Sequence, residues 1–212
     1  MVKPKSEQPA QLNIMNHRTT TAGVILAGGR ARRMHNQDKG LIPYRGRPLV
    51  CYAIDALAGA VSEIIINANR HPDRYRALGR PVVPDLTAGF DGPLAGILAA
   101  MRHTEAEVLV VLPCDSPLIL TEHIEKLLAA RDEHDADIAA AHDGEHLHPV
   151  FLALKTDLKN SLQEYLSRGE RKVGHWIGQH RLVLADFSAT PEIFANVNTM
   201  SELAALETQN ER

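Results

Sequence analysis

A chain of 212 residues, 44% apolar and 23% charged, is long enough to bury a core and too apolar to stay disordered. Its net charge of −3 gives no field for nucleic acid, and no apolar run reaches the roughly 20 residues that cross a bilayer. Two cysteines, Cys51 and Cys114, make neither a disulfide framework nor the CxxC pair of a structural zinc site, so a cytoplasmic protein with no nucleic-acid or membrane partner is expected.

Residues 1–19 are polar and lack the apolar stretch of a signal peptide; they read as a disordered leader to one domain over 20–212. The first strand, Ala22–Ala27, runs into Gly28-Gly29, where paired glycines let the backbone turn sharply and approach a ligand. Arg30, Arg32, Arg33 and Lys39 follow. Strand, glycine turn and cations together suggest a cradle for a polyphosphate, the alternative being a solvated basic loop. The stretch is neither GxxxxGK[ST], since Lys39 precedes Gly40, nor GxGxxG, since the glycines are adjacent.

Further along, helical patterns at Leu49–Ala60, Asp73–Leu78, Leu94–His103, Thr121–His134 and Asp157–Ser167 alternate with apolar or β-branched runs at Glu63–Asn67, Pro81–Val83, Val108–Leu112, Ile138–Ala141, Val150–Leu154 and Leu182–Asp186. Thr199-Met200-Ser201-Glu202 has capping-box spacing and predicts a last helix to about Glu207. The alternation predicts an α/β fold of three αβα layers, Rossmann-like, with a mainly parallel sheet. Ala22–Ala27 and Val108–Leu112 are apolar enough to be central. Sheets of this kind bind ligands beyond the carboxyl ends of their strands, where Gly28-Gly29, Asn67 and Asp115 fall.

Asp115 sits between Pro113 and Pro117, which stiffen its loop; it suits either a Mg²⁺ ligand or a turn or helix cap. Cys114 beside it reads as a small buried apolar residue rather than a nucleophile. Lys39 offers a flexible point charge and Arg33 a planar fork for phosphate oxygens. Asp38 either orients Lys39 by a salt bridge or caps a turn. Asn67 and Asp85 suit the polar edge of a base, or equally a turn and a cap. Gly92 and Gly96 flank a helix start with Pro93 at its first position and permit close approach of a ring or ribose. His142, His146 and His148 cluster with Asp143 and Glu145; a polar hairpin turn at Asp143-Gly144 is preferred over a metal site. Asn196 and Asn198 alternate on an extended segment and share a face.

Leu26-Ala27-Gly28-Gly29, Arg33-Met34 and Asp38-Lys39-Gly40-Leu41 resemble the opening signature of the nucleotide-activating nucleotidyltransferases, in the form found in the molybdenum cofactor guanylyltransferases, the MobA family. Ile65–Arg70, Gly92–Gly96, Pro113–Pro117, Gly169-Glu170-Arg171 and Asn196–Thr199 agree in the family's order, so the resemblance covers most of residues 20–207. It departs at His35-Asn36, where the family usually has glycines. The resemblance implies a nucleotidyltransferase that uses Mg²⁺ to transfer GMP from GTP to the terminal phosphate of molybdopterin. It implies GTP contacts at Leu26, Ala27, Gly28, Gly29, Lys39, Asn67, Asp85, Gly92 and Asp115. Lys39, Arg33 and Asp115 would be catalytic, Asp115 would hold the metal, and Asn196, Asn198 and His148 would approach molybdopterin. Other molybdenum cofactor biosynthesis proteins and molybdoenzyme chaperones are the partners it suggests. A CMP-transferring sister enzyme, a sugar-phosphate nucleotidyltransferase and a non-catalytic binding or delivery module stay open as alternatives.

Overall fold

The computed structural model describes residues 19–28, 38–87, 92–197 and 199–209. The expected leader up to residue 18, Gly29, the arginines Arg30, Arg32 and Arg33, His35-Asn36 and Asn198 lie outside the described residues. The elements in chain order are β1 (Thr21–Leu26), β2 (Pro43–Tyr44), β3 (Arg47–Pro48), α1 (Leu49–Ala58), β4 (Glu63–Asn67), α2 (Pro72–Arg76), β5 (Val82–Val83) and α3 (Pro93–His103). There follow β6 (Val108–Pro113), α4 (Thr121–Glu133), β7 (Ile138–His142), β8 (Leu147–Lys155), α5 (Lys159–Ser167), α6 (Val173–Ile177), β9 (Leu182–Asp186) and α7 (Met200–Gln209).

Seven strands form one sheet in the order β5-β4-β1-β6-β8-β7-β9. All run parallel except β8, which is antiparallel to both β6 and β7. The mainly parallel expectation is therefore correct, with one strand reversed. Side chains alternate between the faces, as a period of two requires. Ile25, Ile66, Val110 and Leu112 pack under α1 and α4, while Val24, Ile65, Leu109 and Val111 pack under α3, α5 and α6. Strands β1 and β6 are buried on both faces, which is why their sequences are apolar without alternation. A smaller cluster of Ile42, Tyr44, Leu49, Val197, Leu203 and Leu206 docks α7 against the chain that follows Gly40.

Register gathers the working end of the sheet. Leu26 of β1 lies opposite both Asn67 of β4 and Pro113 of β6, so three strands finish side by side. The Ala27 N–H donates to the Asn67 carbonyl at 2.8 Å, and the Cys114 N–H donates to the Leu26 carbonyl at 3.2 Å. These bonds carry the pairing just past the strand ends.

Four local expectations change. Strand β8 starts at Leu147 rather than Val150, because it forms a hairpin with β7 whose register shifts between Ala140 and Ala141. Helix α5 is preceded by a 3-10 turn over Thr156–Leu158, where Asp157 had suggested a helix start. Helix α6, five residues long, is not among the expected elements, although Val173, Trp176 and Ile177 are buried. The two-residue strands β2 and β3 are likewise not among them. The last helix begins as predicted: Glu202 N–H donates to the Thr199 hydroxyl, and Thr199 N–H to the Glu202 carboxylate, each at 3.1 Å.

Candidate active site

Beyond the shared ends of β1, β4 and β6 lie two groups of polar side chains. The first is an ion pair. Lys39 opens a 3-10 turn over Lys39–Leu41, and its Nζ stands 3.1 Å from Asp115 Oδ2. The two side chains are 25% and 14% exposed, so both are fixed by the protein yet open to a ligand. Asp115 occupies the turn directly after β6, and its carbonyl accepts from the Val197 N–H at 3.0 Å. The Ser116 hydroxyl donates to Asn196 Oδ1. Asn196 is exposed and is thus brought against the Asp115 loop, although the two are far apart in sequence. The alternative that Asp115 caps the next helix fails, since that helix starts at Thr121 and follows Leu120.

The second group is a polar wall on the β4 side. Asn67 is 3% exposed, and both amide hydrogens are used: Nδ2 donates to the Val83 carbonyl at 3.1 Å and to Asp85 Oδ1 at 2.9 Å. The other carboxylate oxygen, Asp85 Oδ2, accepts from Asn69 Nδ2 at 2.7 Å, and Asn69 Oδ1 accepts the Asp85 N–H at 2.8 Å. Each oxygen of an ionised carboxylate can accept more than one bond, so Asp85 is oriented by two asparagines without being saturated. Such a carboxylate can take a pair of N–H donors from the edge of a base.

Close backbone approach completes this wall. A Cβ on Gly96 of α3 would lie 2.6 Å from Asn67 Cγ and 3.0 Å from Leu26 Cδ2, which no side chain tolerates. Gly92, at φ 77°, starts the helix that carries Gly96. The Cβ position of Gly28 lies 3.1 Å from Asn69 Nδ2. Leu26, Ala27, Gly28, Asn67, Asp85 and the start of α3 therefore meet at one end of the sheet, next to Lys39 and Asp115. Asn69 is the residue sequence reasoning missed. Its signal was the Asn-x-Asn spacing with Asn67, which places both on one face of an extended chain.

Asp38 does neither of the things expected of it. It makes no side-chain capping bond to the turn it precedes. Its Oδ1 accepts from the Tyr75 hydroxyl at 2.6 Å instead. Burial raises the Asp38 carboxyl from its ordinary value, with the Tyr75 bond opposing. Burial also holds the Cys114 thiol well above its ordinary value, which keeps it protonated and inert, in line with the expectation.

The histidine cluster is a hairpin turn. Asp143 Oδ1 accepts the N–H groups of Glu145 and His146 at 2.9 and 2.7 Å. His148 Nε2 lies 2.7 Å from Asp143 Oδ2, and its ring stacks on Phe194 at 3.8 Å. His146 remains 74% exposed. The His146 N–H, the His148 ring and the Glu145 N–H hold the Asp143 carboxyl well below its usual range. Among the described residues no three His, Cys, Asp or Glu side chains group as a metal site, so a metal-binding reading of this cluster gains nothing.

The span of similarity to known proteins includes these residues. The model of the MobA-like NTP transferase domain matches residues 23–183, which contain Lys39, Asn67, Asp85, Gly92 and Asp115. A protein of Shewanella loihica named molybdenum cofactor guanylyltransferase is 46% identical over 176 residues, 83% of this chain and 90% of that protein. Its namesake in Shewanella baltica is 48% identical over the same share of both. The crystal structure of molybdopterin-guanine dinucleotide biosynthesis protein A from Archaeoglobus fulgidus superposes with a TM-score of 0.74 at 20% identity. It covers 90% of this chain and 98% of its own, and so supports the fold. By the domain match and by the identity of these relatives, the chain belongs to the MobA-like NTP transferase family.

Proposed function

We propose that this protein is a molybdenum cofactor guanylyltransferase, which transfers GMP from GTP to the terminal phosphate of molybdopterin and releases pyrophosphate. The observation behind this reading is the Lys39–Asp115 pair at the joined ends of β1 and β6, beside a polar wall suited to a base. The names of the relatives that share about half of its residues supply the substrates.

On this reading the guanine N1–H and 2-amino group donate to Asp85, which Asn67 and Asn69 hold in place. The phosphates lie over Gly28, against Lys39. The terminal phosphate of molybdopterin attacks the α-phosphorus of GTP in line. A new P–O bond forms as the bond to the pyrophosphate oxygen breaks, and pyrophosphate carries the electron pair away. A phosphate nucleophile is already ionised near neutral pH, so no protein base is needed; the protein contributes positioning and charge. Lys39 meets charge on the phosphates, and Arg33, the family's signature arginine, is assigned the same task. Asp115 offers a carboxylate at the end of β6, and among the described residues no three His, Cys, Asp or Glu side chains group into a metal cage. That donor set fits Mg²⁺, which takes one or two carboxylates and completes its shell with phosphate oxygens and water. When bound by Asp115, the ion neutralises phosphate charge. Asn196, beside Ser116, and Asn198 are assigned to molybdopterin, with His148 on the neighbouring hairpin. Molybdenum cofactor biosynthesis proteins and molybdoenzyme chaperones in the cytoplasm would be the partners. Among the described residues no helix is long and apolar enough to cross a membrane.

The test is pyrophosphate release from GTP, ATP, CTP and UTP, each with and without molybdopterin and Mg²⁺. Release from GTP alone, dependent on molybdopterin and on Mg²⁺, is expected. Preference for CTP would assign the protein to the cytidylyl sister group, and release driven by a sugar phosphate to the sugar enzymes. Tight binding with no release would make it a delivery module.

A further inference from the structure

We infer that Tyr75 is a positioning residue for the transfer reaction, because its single hydroxyl fixes the chain on both sides of Lys39. This rests on the assignment of Lys39 to the phosphates. Tyr75 lies on α2 and is 0% exposed. Before Lys39, the hydroxyl donates to Asp38 Oδ1 at 2.6 Å, and Asp38 is itself 9% exposed. After Lys39, a Cβ on Gly40 would lie 2.6 Å from the same hydroxyl oxygen and 3.3 Å from both Cβ and Sγ of Cys114. Gly40 is therefore seated in a slot between Tyr75 and Cys114.

The turn needs this support. Its own bonds are the Leu41 N–H to the Asp38 carbonyl at 3.0 Å and the Ile42 N–H to the Lys39 carbonyl at 3.1 Å. A 3-10 piece of three residues is held weakly by bonds of that kind alone. Cys114 directly precedes Asp115, so the slot that seats Gly40 also sets the distance between the Lys39 backbone and the Asp115 loop. A lysine side chain has many rotamers, and its ammonium stays near one spot only if its backbone does. Helix α2 follows Asn67 and Asn69 with a short connection, so the element that carries Tyr75 is anchored to the base wall. The hydroxyl ties that wall to the phosphate cation.

A double-mutant cycle of Tyr75→Phe and Lys39→Ala tests this, with kcat, GTP affinity and Tm measured for each variant. Tyr75→Phe removes the hydroxyl and keeps the ring. It is expected to lower kcat about tenfold, within the range of measured couplings between neighbours, while GTP affinity changes less; Tm falls as well, because the buried Asp38 carboxyl loses its donor. In the Lys39→Ala background the same substitution is expected to change kcat less than about twofold, since the group it positions is gone. An equal tenfold loss in both backgrounds would overturn the inference, as would a wild-type kcat for Tyr75→Phe. A merely structural role would lower kcat by the same factor in both backgrounds, whatever the change in Tm. A wild-type kcat for Lys39→Ala would locate the fault in the Lys39 assignment, and the inference would fall with it. If Tyr75→Phe does not fold, Gly40→Ala moves the turn from its other flank. It is expected to show the same dependence on Lys39, and an unchanged kcat for it would refute the positioning role.

Discussion

Lys39 and Asp115 are 76 positions apart in sequence and 3.1 Å apart in space. Each had a bland alternative as long as it was read alone, a solvated cation and a capping carboxylate. The pairing argues against the first, and the start of α4 at Thr121 removes a helix cap from the second. Lys39→Ala should cut GTP affinity by about one to two decades, since charge-assisted bonds contribute roughly 1.5–3 kcal/mol; calorimetric titration measures it. Asp115→Ala should abolish Mg²⁺-dependent transfer with Tm nearly unchanged, because Lys39, 25% exposed, can turn to water when its partner goes. Near wild-type turnover in the purified variant would remove Asp115 from the metal role. Residue type and position after an apolar strand were legible for both. The Asp38–Tyr75 bond was not: nothing in the spacing of an aspartate and a tyrosine 37 positions apart distinguishes a buried bond from two surface groups.

Among the elements, α3 bears on function most directly. Alanine in place of a helical glycine normally stabilises a protein by up to about 1 kcal/mol. At Gly96 the sign reverses, because the new methyl would overlap the Asn67 amide and press on Leu26. Gly96→Ala should displace Asn67, break its bond to Asp85 and remove most of the preference for GTP over ATP, CTP and UTP. Thermal shifts with the four nucleotides check this, and a preserved order would mean the wall does not read the base. Helices α1, α3, α4 and α5 showed in the sequence because each runs nine residues or more with a regular apolar period. Helix α6 and the β2–β3 hairpin were not read, although α2 and β5, equally short at five and two residues, were. The reversed direction of β8 leaves no mark in its own apolar pattern; only the hairpin turn read at Asp143-Gly144 points to it, because a short turn joins antiparallel strands.

At the scale of the molecule, stability and binding sit at opposite ends of the sheet. Asp137, just before β7, accepts Arg181 Nη2 and Lys155 Nζ, each at 3.0 Å, and so joins the ends of β7, β8 and β9 away from Lys39 and Asp115. The bond from Arg181 and then that from Lys155 hold its carboxyl well below the ordinary 3.8. A carboxyl with a depressed folded-state pKa contributes stability above its unfolded value and loses it as pH falls through the folded one. Stability should therefore decline as pH drops below about 4, and Asp137→Asn should flatten that decline and lower Tm at pH 7. Denaturant midpoints across pH 2–7 measure it; an unchanged acid limb would dismiss Asp137 as its source. Saturating GTP at about 100 times Kd adds about 2.7 kcal/mol, or a Tm rise of roughly 5–10 °C for a chain of this size, and ATP, CTP and UTP should give less. A larger rise with CTP would reassign the nucleotide.

The sequence by itself determined the alternation of strands and helices, the two central strands, the capping box of the last helix and the candidates Gly28, Lys39, Asn67, Asp85 and Asp115. It could do so because apolar period, glycine turns and capping chemistry act over a few neighbouring residues. Only the tertiary structure decided which of these meet. The shared register of Leu26 with Asn67 and Pro113, the Lys39–Asp115 pair, the Asn69 clamp on Asp85 and the Tyr75 slot all join segments far apart in the chain. Such contacts depend on strand order and on the space left between packed elements, and neither is written in local residue spacing.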